Sequence, residues 1–143
     1  MTLSLIFCPV DFSAATVAVV AYAAVLAAGA KAELRLVHVL TPQPARRADH
    51  AELAATAQLA PHRVAAEQAG ARVTTSVLRG DTAAEIVAAA RRQAADLIVI
   101  GAHGQTGLSR FLMGGTAEAV VRTAPCATLL VTAHSTDLNQ KSA

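Results

Sequence analysis

The sequence predicts an α/β fold: a five-stranded parallel sheet in the order 3-2-1-4-5, with helices on both faces. Three observations carry this. Short apolar or β-branched runs alternate with helical stretches five times over, the pattern of parallel strands joined by right-handed crossovers. The first and fourth runs are the most continuously apolar, as adjacent central strands buried on both faces must be. Directly after the fourth run comes GAHGQTGLSRFLMGGT (101–116), which holds five of the chain's eight glycines. In a sheet of this order, ligands bind outside the carboxyl ends of the strands at the switch point between strands one and four.

The elements follow in order. Residues 3–10 form the first strand, closed by Asp11. Ser13 is the expected N-cap of the Ala/Val-rich helix that follows, and Gly29 its expected stop. Residues 33–40 (ELRLVHVL) read as the second strand, and 41–50 (TPQPARRADH) as a loop, since two prolines break the periodicity. Residues 51–68 are helical in pattern but contain Pro61. A proline in a helix interior costs about 3 kcal/mol or more, so a kink or break is expected there. Residues 71–78 are the third strand, and Gly80-Asp81 turns the chain. Thr82 and Glu85 have the spacing of a capping box for a helix reaching about Ala94. Residues 97–100 are the fourth strand, 117–123 a helix stopped by Pro125, and 127–132 the fifth strand. The domain spans 1–133, and 134–143 read as a frayed tail.

Composition narrows the function. The chain has 143 residues, 54% of them hydrophobic, with only three Phe, one Tyr and no Trp. Its core must be built from Ala, Val, Leu and Ile. A net charge of +2 without a basic block argues against nucleic acid as a partner. The uncharged stretch 14–30 is barely long enough to span a bilayer, is mostly Ala, and has no basic residue before it, so no membrane role is expected. Cys8 and Cys126, with no CxxC, fit reduced thiols of a cytoplasmic protein.

The glycine segment carries the chemistry. Gly101 and Gly104 permit a sharp turn and close backbone approach. Gly114 and Gly115 precede a helix whose first N–H groups lack intrahelical partners. The two ends can grip a polyphosphate between them, or they can serve only as tight turns. The segment is not a Walker A loop, because no lysine lies between Lys31 and Lys141. Phosphate binding would rest on backbone dipoles, with Arg110 as an available cation. Without that lysine, efficient hydrolysis is not implied. His103 lies within the segment and either faces phosphates or packs. Asp11 suits either a ligand role or a helix cap. Leu108, Phe111, Leu112 and Met113 form one apolar turn, closing over the site or meeting a partner. No nucleophile–base–orienter set is present, and no histidine spacing suggests zinc.

Gly101-x-x-Gly104, nine residues, then Gly114-Gly115 is similar to the G-x2-G-x9-G-[S/T] signature of the universal stress protein family. Pro9-Val10-Asp11, His38-Val39, Arg79-Gly80-Asp81 and the run 125–131 also match that family in kind and position. The resemblance implies a Rossmann-like domain of the adenine-nucleotide-binding type, often a homodimer. It implies ATP as ligand, with the glycine signature around ribose and phosphates and Asp11 nearby, helping to place a divalent cation such as Mg. Val39 would meet adenine through its backbone. The implied site is Pro9, Val10, Asp11, Val39, Gly101, Ala102, His103, Gly104, Gly114, Gly115 and Thr116. One position departs: the signature ends in Ser or Thr where this chain has Gly115. One lost neutral hydrogen bond costs on the order of 1 kcal/mol, about fivefold in affinity.

The function expected is an ATP-binding module that senses or signals through nucleotide-dependent conformation and partner choice. The alternatives are a dimeric interaction protein with an idle site, and a slow ATPase or phosphotransferase. The apolar fifth strand, 127–132, is a sheet edge and the expected two-fold dimer contact.

Overall fold

The computed structural model describes residues 2–103 and 114–132. The expected loop positions Gly104 and Arg110, the apolar turn 108–113 and the tail 134–143 lie outside the described residues. The strands are β1 (Leu5–Pro9), β2 (Glu33–Leu40), β3 (Arg72–Arg79), β4 (Leu97–Gly101) and β5 (Ala127–Val131). The helices are α1 (Thr16–Ala30), α2 (Ala45–Gln68), α3 (Thr82–Arg92) and α4 (Gly115–Thr123). All strand pairs are parallel, and the order is β3-β2-β1-β4-β5, as the sequence predicts.

Period-two alternation along the central strands explains the layering. Ile6 and Cys8 of β1 join Leu34, Leu36 and Val99 in one core, against Val19, Val20 and Ala23 of α1 and Leu59 of α2. Phe7, Val37, Ile98 and Ile100 point the other way, into a second core with Ile86 and Val87 of α3 and Val120 of α4. Alanines at Ala23, Ala24 and Ala27 are buried on α1, so that helix packs close to the sheet without aromatic filling. Cys8 is fully buried among these residues, which pushes its thiol up to about 12. Asp96 fastens the other end of the sheet. Its carboxylate accepts the N–H groups of Ser4 at 2.8 Å and Leu5 at 3.0 Å, tying the approach to β4 onto the start of β1.

Several local expectations are corrected. Ser13 does not cap α1 with its side chain; its carbonyl accepts the Thr16 N–H at 3.0 Å in a turn, and the helix begins at Thr16 after Ala15. Gly29 lies inside α1, and the stop is Lys31, which takes the left-handed conformation (φ 57). The N–H groups of Lys31 and Ala32 return to the carbonyls of Ala28 and Ala27, so backbone bonds close the helix end without a glycine. The expected loop 41–50 shortens, because α2 starts at Ala45 directly after Pro44, whose fixed φ suits a helix entrance. Helix α2 runs unbroken through Pro61. Pro61 and Ala57 are both exposed, so water can satisfy the carbonyl that the proline leaves without a donor. At α3 the cap is shifted by one residue: the Asp81 carboxylate accepts the Ala84 N–H at 3.1 Å. Among the described residues no helix is long and apolar enough to cross a membrane.

Candidate functional site

β1 ends where β4 begins its loop, and the sequence makes that edge concave. Val10 leaves β1 with its N–H still bonded to the Val37 carbonyl at 2.8 Å. The Asp11 Oδ1 accepts the Ser13 N–H at 3.0 Å, turning the chain sharply. Between them Phe12 sits in the left-handed region (φ 60), a conformation disfavoured for a residue with a Cβ. It is held by packing: its ring lies 4.5 Å from that of His38. His38 Nδ1–H donates to the Val10 carbonyl at 2.8 Å, which clamps the exit of β1 to the end of β2. His38 is thus built into the wall.

The second side comes from β4. Gly101 ends that strand, with the position a Cβ would take lying 3.3 Å from Val19 Cγ2, so a larger residue would press on α1. Ala102 is buried and does not line the space; its N–H donates to the Val131 carbonyl at 2.9 Å. Its own carbonyl accepts the Gly114 N–H at 2.6 Å, drawing the two ends of the glycine segment together. Gly114 then serves as N-cap of α4 with no side-chain cap, and Gly115 is its first residue.

These pieces enclose a cavity of about 300 Å³. Of the residues expected at the site, Pro9, Val10, Asp11, Val39, Gly101, His103, Gly114, Gly115 and Thr116 line it. Ala102 supports it from behind, and Gly104 and Arg110 fall outside the described residues. Val37, Val39, Ile86 and Ile100, which belong to one packed apolar cluster, contribute apolar wall. Asp11, Ser13 and the first residues of α1 and α4 also line the cavity. Sequence reasoning missed Thr16, Thr82 and Ile86, which also line the cavity. Thr82 and Ile86 come from α3, whose part in the wall depends on the sheet order and carries no motif. Thr16 offered a signal, a hydroxyl opening an otherwise apolar helix.

Among the described residues, no group of three or more His, Cys, Asp or Glu side chains is placed to hold a metal ion. Among the described residues that line the cavity, Asp11 is the acidic one, so a magnesium ion there would need further ligands, for instance from a bound molecule.

The family model for the universal stress protein family matches residues 4–132, nearly the whole chain. The chain belongs to the universal stress protein family. A curated universal stress protein of Methanocaldococcus jannaschii is 47% identical over 66 residues, a match that covers 46% of this chain and 39% of that protein. Among solved structures, the universal stress protein UspA from Lactobacillus plantarum superposes with a TM-score of 0.81 at 23% identity, covering 92% of this chain and 99% of that one. A universal stress protein in complex with cAMP gives 0.78 at 23% identity, covering 92% and 98%. One from Archaeoglobus fulgidus in complex with dAMP gives 0.75 at 26%, covering 91% and 98%. These likenesses agree with the strand order and helix placement described above.

Proposed function

We propose that this chain is an adenine-nucleotide-binding module, with ATP the expected ligand, that acts by coupling occupancy to its conformation and partner choice. The observation that carries this is the two-sided cavity: Asp11 on the β1 exit and Gly114–Thr116 at the start of α4 line one space at the switch point of the sheet. Its volume is at the lower end of the ~300–1,000 Å³ of small-molecule sites. In this reading the base lies against the apolar wall of Val39, Ile86 and Ile100. The phosphates lie against the unpartnered N–H groups that open α4, where the helix dipole favours negative charge. Asp11 faces the ribose or a phosphate-bound magnesium ion. Relatives crystallised with cAMP and dAMP support an adenine nucleotide as the ligand class.

Binding rather than turnover is the primary role in this proposal. The site has no lysine, and the described walls contain no nucleophile paired with a base. At most slow hydrolysis follows. The interaction-protein alternative draws on Gly115, which removes one hydroxyl from the signature. Partner binding is proposed at the β5 edge, where Leu129 is 38% exposed and a second copy could extend the sheet.

Mass spectrometry of the purified protein and calorimetric titration with ATP and magnesium test the reading. Binding at micromolar to sub-millimolar concentration is expected, lost on Asp11→Ala together with Gly101→Val. No heat of binding at millimolar ATP would leave the idle-site alternative standing.

A further inference from the structure

The Thr16 side chain is 3% exposed, and its hydroxyl has no hydrogen-bond partner among the described residues. Threonines in helices commonly give that hydroxyl to the carbonyl four residues back. Here that residue is Phe12, which stands before the helix in the left-handed conformation, so its carbonyl is not presented in helical position. A buried hydroxyl left unpaired is costly, and its retention calls for a partner from outside the chain.

Its surroundings say what kind of partner. Thr16 is the first residue of α1 and lines the cavity. The α1 N-terminus has no side-chain cap from its own N-cap residue and no acidic residue in its first turn; the nearby Asp11 carboxylate already accepts the Ser13 N–H. Gly114, Gly115 and Thr116 at the start of α4 line the same cavity, so two helix N-termini share one space. An anionic oxygen there would meet favourable dipoles from both helices.

We infer that the Thr16 hydroxyl is a ligand contact, donating a hydrogen bond to a phosphate oxygen held between the N-termini of α1 and α4. This rests on the nucleotide reading and extends it to a residue outside the glycine signature. The bond is charge-assisted and forms only with ligand bound. Thr16 therefore adds affinity without adding to the stability of the ligand-free protein.

Two variants and one spectrum test this. Thr16→Val keeps the shape and removes the donor; Thr16→Ser keeps the donor. Calorimetry with ATP should show Thr16→Val binding about five- to tenfold more weakly and Thr16→Ser within about twofold of the parent. Urea denaturation of the ligand-free proteins should show Thr16→Val no less stable than the parent, since it removes an unpaired polar group. The phosphorus NMR spectrum of bound ATP should shift at one phosphate in Thr16→Val and stay unchanged in Thr16→Ser. Parent-like ATP affinity in Thr16→Val overturns the inference. So does an unchanged phosphorus spectrum, or a loss of ligand-free stability, which would reveal a partner within the chain. A parent protein that binds no ATP overturns the nucleotide reading itself and the Thr16 assignment with it, and is recognised by the absence of any heat before a variant is made.

Discussion

Gly115→Ser restores the residue type that closes the family signature, and the structure says what that should cost and gain. A Cβ at position 115 would meet nothing within 4 Å. Gly115 is not among the positive-φ glycines, so its backbone suits an L-residue. It opens α4 behind an uncapped Gly114. Replacing glycine within a helix gains about 0.5–1 kcal/mol at an interior position, and less in the first turn. The ligand-free variant should therefore melt slightly higher, by no more than about 4 °C for a domain of this size. The added hydroxyl offers one hydrogen bond to the ligand, worth on the order of 1 kcal/mol, or at least about fivefold tighter ATP. Gly115→Ala separates the two effects: it should share the thermal gain and leave affinity unchanged. Calorimetry and thermal denaturation on the three proteins decide it. If serine binds ATP no more tightly than alanine, the missing hydroxyl is not what limits the site. If both substitutions destabilise, the open space at position 115 has been misjudged.

Three further outcomes follow from the fold. Gly80 has φ +135, and a Cβ there would lie 2.7 Å from Glu85 Oε1, so Gly80→Ala should lose about 1–3 kcal/mol in urea denaturation. Asp96 has its carboxyl held below the ordinary 3.8 by the N–H groups of Ser4 and Leu5, so its contribution to stability is present above pH 4 and lost as pH falls through the lowered value. Asp96→Asn should thus be less stable than the parent at pH 7, with the difference shrinking as acid protonates the Asp96 carboxylate, as followed by denaturation at each pH. Cys8, with its thiol pushed up to about 12, should resist a thiol-reactive dye at pH 8 until the protein is unfolded, while the half-buried Cys126 reacts first.

The strand order was legible because β1 and β4 are continuously apolar while β3 mixes Thr and Ser into its run; burial on two faces leaves that mark in sequence. The helix stop at Lys31 and the continuity of α2 through Pro61 were not legible. Both are places where backbone hydrogen bonding or solvent offsets a residue's intrinsic preference, and neither shows in periodicity. At the candidate site, spacing and resemblance pointed to Asp11, Val39, Gly101 and Gly114–Thr116, all of which line the cavity, because a backbone-mediated site needs small residues in its glycine segment. The α3 wall, Thr82 and Ile86, was hidden, since its approach to β4 exists only once the sheet is assembled. Thr16 was visible as a letter but not as a role. Its significance lies in a missing hydrogen bond, which requires the geometry around Phe12.

Backbone amide NMR during an ATP titration bears most directly on the proposed site. The amides of Asp11, Val39, Gly101 and Gly114 through Ala117 should shift together to saturation, while Glu33 and Arg72 at the amino-terminal ends of β2 and β3 stay in place. Saturating ATP that leaves those amides unmoved, or moves a different surface, would contradict a nucleotide site between β1 and β4.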